Sequence, residues 1–171
     1  MNARAAMQPL RGLAPVVAAD TRLLVLGSFP SEASLAAAQY YAHPRNQFWT
    51  ILSTLWSVDL RVLSYAARLD EVRRRGLGIW DVYASCRREG SLDSAIEEAV
   101  PNDLAALVAT LPRLGAIAHN GGESARAMAR TRTLAAEVVR LPSSSPANAS
   151  WSLARKVDAW RAVFALHGLC R

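Results

Sequence analysis

The stretch Arg22-Leu23-Leu24-Val25-Leu26-Gly27-Ser28-Phe29-Pro30-Ser31 decides the fold class. Its apolar run shows no alternation with polar residues, so the strand it predicts is covered on both faces, as in a parallel sheet flanked by helices. Gly27 ends the strand and permits a tight turn whose backbone amides can face an anion. No Gly-Lys-Ser/Thr follows, which excludes a P-loop.

Working outward, the same unit recurs. Pro44 is placed to open a helix, with Phe48, Ile51, Leu52 and Leu55 forming its apolar face. A second helix is predicted over 62–74, stopped by Gly76, and a second strand over 77–82. Asn102 is the expected cap of a helix carrying Leu104, Leu107, Val108 and Leu111. A strand over 114–119, a helix over 123–130, a strand over 138–141 and a helix over 153–167 complete the chain. Strands alternating with helices predict an α/β domain around a four-stranded, mostly parallel sheet. No repeat or linker divides residues 1–171, so they are read as a single domain, with residues 1–20 an extended lead-in.

The 51% hydrophobic and 20% charged composition excludes a disordered chain. Every apolar run falls short of the ~20 residues of a membrane helix. The Ala- and Arg-rich start lacks the apolar core of a signal peptide, and a cytoplasmic protein is expected. Two cysteines, Cys86 and Cys170, are too few for a disulfide scaffold or a four-cysteine metal site. His43, His119 and His167 are scattered, so no metal and no cofactor is expected. The net charge of +6 points to a polyanion, although such a surplus also arises from a solvated surface. Of the twenty basic residues all but Lys156 are arginine.

Ligands of such sheets bind beyond the carboxyl ends of the strands. Four polar or turn-forming segments stand there: GSFPS, DVYASC, HNGG and LPSSSPAN. Between the first two lies Gln39-Tyr40-Tyr41-Ala42-His43-Pro44-Arg45-Asn46-Gln47-Phe48-Trp49, the window densest in functional side chains. Helical spacing makes Phe48 and Trp49 packing residues, whereas Tyr41 precedes the helix and is free to stack on a base. Asp81 closes an apolar strand, where an acid must be paired or face a cleft. Either it caps a helix or pairs with Arg73, Arg74, Arg75, Arg87 or Arg88, or it is functional. His119 is placed to line the cleft and His167 to meet a helix dipole. Ser143, Ser144, Ser145 and Asn148 sit between prolines, suited to phosphate oxygens or to an ordinary polar loop. No Gly-x-Ser-x-Gly elbow supports a serine nucleophile.

Together these segments resemble the uracil-DNA glycosylase superfamily, and within it the hypoxanthine (deoxyinosine) glycosylase branch. The resemblance runs from LVLGSFPSEAS through QYYAHPRNQFW and GLGIWDVYASC to LPSSSPAN. QYYAHPRNQFW is also similar to the FAHPxNRFW stretch of the mismatch-specific uracil glycosylases. The resemblance implies a three-layer α/β/α sandwich and hydrolysis of the N-glycosidic bond of a damaged base flipped out of DNA. It implies that GSFPS positions the water, with Phe29 in the base pocket. Tyr41 would stack on the base and Asp81 read its edge. Ser31, Arg45, Ser143, Ser144, Ser145 and Asn148 would hold DNA. The mismatch-specific branch orients its water with an asparagine where Phe29 stands here. Asn46 is therefore the expected substitute, helped by Ser28 and His43. Ala147 occupies the place where other branches insert a bulky wedge. An ionised Asp81 accepts the N1–H of hypoxanthine or the N3–H of uracil and repels the N1 lone pair of adenine.

Lyase chemistry needs an amine, and Lys156 falls in the last helix, away from these segments. A monomeric, monofunctional enzyme acting on DNA is the expectation, with deoxyinosine first and uracil or xanthine as further lesions. A uracil or mismatch-specific enzyme is the nearest alternative, a catalytically decayed nucleic-acid-binding module the next, and a serine hydrolase the last. Arg45, Arg87, Arg88 and the 143–148 loop form the expected phosphate-facing surface.

Overall fold

The computed structural model describes residues 7–171; the first six residues of the lead-in lie outside them. The strands are β1 (Leu10–Arg11), β2 (Leu23–Gly27), β3 (Leu77–Asp81), β4 (Tyr83–Arg87), β5 (Glu97–Pro101), β6 (Ala116–Asn120) and β7 (Glu137–Leu141). The helices are α1 (Glu32–Ala37), α2 (Phe48–Trp56), α3 (Tyr65–Arg74), α4 (Leu104–Val108), α5 (Gly122–Ala125), α6 (Met128–Thr131) and α7 (Leu153–Leu166).

The main sheet has the order β3-β2-β6-β7 and every pairing in it is parallel. Period-two alternation divides the apolar run of β2 between two cores. Leu23 and Val25 face α2 and α7, packing with Phe48, Ile51, Leu52, Trp160 and Phe164. Leu24 and Leu26 face the other way, toward Leu104 and Ala127. Helices thus cover both faces, and the expected three-layer α/β/α architecture is what forms. No helix among the described residues is long and apolar enough to cross a membrane.

A second, antiparallel sheet, β1-β4-β5, was not expected. It begins in the described part of the lead-in, residues 7–20, which is anchored: Leu10 and Arg11 pair with Cys86 and Ser85, and Val16 bridges to Ile79. Its significance lies in the loop it carries. Residues 88–96 join β4 to β5 and return the chain to the end of β2.

Several boundaries differ from expectation for local reasons. Pro44 stands in a turn closed by a hydrogen bond from the Asn46 N–H to the His43 carbonyl, and α2 starts four residues later. Asp103, not Asn102, caps α4 by accepting the Ala106 N–H. Asn102 is used elsewhere, donating its side-chain amide to the Asp81 carbonyl. The helix expected over 123–130 is two short helices, α5 and α6. In α3, helix proper begins at Tyr65, capped by Ser64 and preceded by a 3-10 turn over Leu60–Val62.

Candidate active site

The carboxyl ends of all four parallel strands open into one cleft of about 850 Å³. Register determines which side chains meet there: Gly27 pairs with Asp81, and Asn120 with Leu141. Lining residues include Ser28, Phe29, Tyr41, Asn46, Asp81, Asp93 and Asn120.

Asp81 is the group least at ease in the fold. It is 4% exposed, and its Oδ2 has no hydrogen-bond partner. Among the described residues it makes no ion pair, so the structural explanation offered by the neighbouring arginines does not hold. Burial, reinforced by the charge of Asp93 and only partly offset by Arg88, raises its pKa to about 7. A buried acid without a partner, facing a cleft, is the arrangement expected of a functional group.

Tyr41 forms the adjoining wall. Its ring stacks on Phe48 at 3.8 Å between centroids and 16° between planes, while Phe48 meets Trp49 and Trp160 edge-on. Phe48 and Trp49 are therefore core, as their spacing implies, and they back the tyrosine. Tyr41 has a left-handed φ of 54°, a conformation that costs a β-carbon residue on the order of 1 kcal/mol. Burial and the charge of Asp81 raise the pKa of its hydroxyl, which stays protonated.

Asn120, which sequence reading treated only as part of a turn, holds the cleft together. Its Nδ2 donates to the Tyr41 hydroxyl at 3.2 Å and to Ser144 Oγ at 2.9 Å. Its Oδ1 accepts the Ser144 N–H. The Ser144 carbonyl in turn accepts the Gln47 N–H. One buried amide thus clasps the Tyr41 segment to the 142–148 loop.

Several expected site residues are elsewhere or do other work. Ser144 is fully buried with its N–H, carbonyl and hydroxyl all engaged, so it is part of the clasp and presents nothing to a phosphate. His43 is not a lining residue; its Nδ1 accepts the N–H of Arg45, and exposed Arg45 also lies outside the cleft. His119 does not line the cleft either. It is fully buried between the hydroxyls of Ser124 and Thr131, and burial lowers its pKa to about 4. His167 caps α7 and meets Glu137 at 2.8 Å.

Asn46 lines the cleft, but its Oδ1 accepts the Phe48 N–H and so anchors the start of α2. Ser143, Ser145 and Asn148 do line the cleft beside exposed Ala147. Ser143 and Ser145 hydroxyl oxygens accept backbone N–H groups, and among the residues that line the cleft no histidine offers them a base. Arg88 is not on a phosphate-facing surface. It is 5% exposed, donates to the Pro30 and Gly90 carbonyls and lies 5.3 Å from the Phe29 ring centroid. Arg87 is paired with Glu98. Arg140, at the rim beside Gly122, is the lining arginine that sequence reading missed.

Ser31 caps α1 by accepting the Ser34 N–H. Ser31→Ala is expected to lower unfolding stability by about 1 kcal/mol in urea titrations.

Comparison with known proteins agrees with this geometry. The uracil DNA glycosylase superfamily profile matches residues 14–165. Two relatives named hypoxanthine DNA glycosylase, from Methanosarcina barkeri and Methanosarcina acetivorans, are 34% and 36% identical over 154 residues. Each alignment covers 90% of this chain and 97% of the relative. The solution NMR structure of a Methanosarcina acetivorans protein, described as a candidate uracil DNA glycosylase, superposes with a TM-score of 0.82. It is 35% identical, over 92% of this chain and 97% of that one. With strand order, cleft and nearly the full length in agreement, the chain belongs to the uracil-DNA glycosylase superfamily.

Proposed function

We propose that this protein is a monofunctional DNA glycosylase that releases hypoxanthine from deoxyinosine by hydrolysis, acting as a cytoplasmic monomer on a base flipped out of DNA. The observation that carries the reading is the buried Asp81 carboxyl, unpartnered at Oδ2 and set next to Tyr41 in the cleft. A planar base stacked on Tyr41 brings its polar edge toward Asp81. The ionised carboxylate accepts the N1–H of hypoxanthine and opposes the N1 lone pair of adenine. The names of the two Methanosarcina relatives support the same lesion.

Uracil offers an equivalent N3–H, so the decisive experiment compares excision from matched duplexes carrying inosine, uracil, xanthine or adenine. Fastest release from inosine is expected, with alkali-labile sites left behind. Release from uracil alone would favour the sister activity. Retardation of the DNA without release would favour a binding module.

A hydrolytic rather than lyase mechanism is supported by the position of Lys156. The only lysine is 2% exposed, donates to Gln47 Oε1 at 2.8 Å and is not among the cleft-lining residues. Borohydride added during turnover is expected to trap no covalent protein–DNA complex; a trapped species would overturn the assignment.

A further inference from the structure

Phe29 leaves the first motif without a side chain that can orient water, and the nearest polar groups show how this chain replaces it. Ser28 lies half-buried at the cleft directly after β2. Its hydroxyl donates to Asp93 Oδ1 at 2.6 Å. Asp93 is an exposed lining residue in the β4–β5 loop, 65 positions away in sequence. That loop is tied down just before it. Ser91 Oγ accepts the Glu32 N–H, and the Gly90 carbonyl accepts Arg88 Nε.

The direction of the Ser28–Asp93 bond has a chemical consequence. Ser28 donates its single hydroxyl hydrogen to Asp93, so that hydrogen is committed. Ser28 Oγ can then only accept from a further partner. Asp93 Oδ2 is a second acceptor, with no hydrogen bond among the described residues. Two adjacent acceptors bind water through its hydrogens and leave an oxygen lone pair free to attack. Asn46 is less suited to that task. Its Oδ1 already accepts the Phe48 N–H, leaving Nδ2 donors that would compete for the water's lone pairs.

We propose that the Ser28–Asp93 pair holds the hydrolytic water, with Asp93 accepting its proton. The C1′–N bond breaks and its electron pair leaves with the base; the water oxygen bonds to C1′ of the oxocarbenium-like sugar. One water proton passes to Asp93 and on to solvent, and the departing base takes up one proton from solvent. Asp93 is thereby a catalytic residue. Asn46 is left free to donate to the sugar or base. The two carboxylates differ in their partners: Asp81 is unpartnered at Oδ2, whereas Asp93 is hydrogen-bonded by Ser28, and burial still raises its pKa, which suits a group that receives a proton.

This assignment rests on the glycosylase reading, so the test begins with wild-type release of hypoxanthine. A wild type inactive on every lesion overturns both. With an active wild type, Asp93→Asn is expected to lower the single-turnover excision rate roughly 100-fold. Affinity for a duplex carrying non-hydrolysable 2′-fluoro-deoxyinosine should stay within about twofold. Ser28→Ala is expected to lower the rate roughly 10-fold, and the double variant to be no slower than Asp93→Asn, because the two residues act on one water. Wild-type rates for Asp93→Asn would overturn the proposal. So would a rate loss matched by lost DNA affinity or a lowered melting temperature, which would make Asp93 only a tether for its loop.

Discussion

Asp81→Asn is expected to make the protein more stable at pH 8 and less able to reject adenine, while Asp81→Ala should cut hypoxanthine excision about 1,000-fold, the scale of losing a directed active-site polar group. Both follow from one carboxyl, buried without a partner at Oδ2, whose pKa is raised to about 7. Below about pH 4 the folded and unfolded chains both carry its proton. Between there and pH 7 the unfolded chain has lost the proton while the folded one retains it, so wild-type stability falls as pH rises. Above pH 7 both are ionised and the loss is complete, on the order of 4 kcal/mol. Asparagine does not titrate, so its advantage should grow from about pH 4 to pH 7 and then level off, reaching about 2 to 4 kcal/mol. Denaturant unfolding at several pH values reads this directly. A variant whose advantage is independent of pH would show that Asp81 is not the strained group.

The same ionisation governs selectivity. An ionised Asp81 repels the N1 of adenine, whereas its neutral form can donate to it. Preference for inosine over adenine should therefore sharpen in the wild type as pH rises through 7. The carboxamide of the Asp81→Asn variant both donates and accepts, so hypoxanthine release should persist with a pH-flat, weaker preference. Equal discrimination by the two proteins would remove Asp81 from base recognition. A substitution that raises stability while degrading selectivity is the signature of a site whose chemistry is maintained against the fold.

What the sequence made legible depended on burial. β2, β3 and β6 could be read because they are buried on both faces, leaving apolar runs that end at Gly27, Asp81 and Asn120, whereas the edge strand β7, with Arg140 exposed, was marked by Val138-Val139 and the Pro142 that stops it. The second sheet had no such signal. All five residues of β5 are exposed, and Glu97-Glu98-Ala99-Val100-Pro101 carries neither alternation nor an apolar run. Asp93 was hidden for the same reason, since its loop gains meaning only when the antiparallel sheet returns it to Ser28. Asn120 and His119 show the opposite failure. Adjacent on one strand, they point to opposite sides of the sheet, so His119 is sealed beneath Ser124 and Thr131 while Asn120 reaches Tyr41. A strand-end position suggested the cleft for the histidine; only the pleat decides which of the two residues enters it. Tyr41 was separable from Phe48 and Trp49 because helical periodicity accounts for the latter pair and stops short of it.

Gly27→Ala is expected to slow excision by about 100- to 1,000-fold while leaving the fold intact, which makes it the sharpest test of where the base sits. Gly27 stands opposite Asp81 in the β2–β3 register. A β-carbon there would overlap Asp81 Oδ1 and come within 3.3 Å of the Tyr41 hydroxyl. The methyl group would thus occupy the space between the two groups assigned to edge recognition and stacking. Relief requires Asp81 to rotate away from the base, and displacement of about 1 Å at a reacting centre can cost on the order of 100-fold. One added methyl in a packed strand should lower stability by about 1 to 3 kcal/mol, so the variant should remain folded by near-ultraviolet circular dichroism. Affinity for 2′-fluoro-deoxyinosine DNA should fall as well, because the obstruction excludes the base itself. This separates Gly27 from Asp93, where the rate alone is expected to change. An alanine variant with wild-type excision would mean that the base does not enter between Tyr41 and Asp81. Adding Asp81→Asn to Gly27→Ala should then matter little for hypoxanthine if the assignment is right: with the base already excluded, the residue that reads its edge has nothing left to contact.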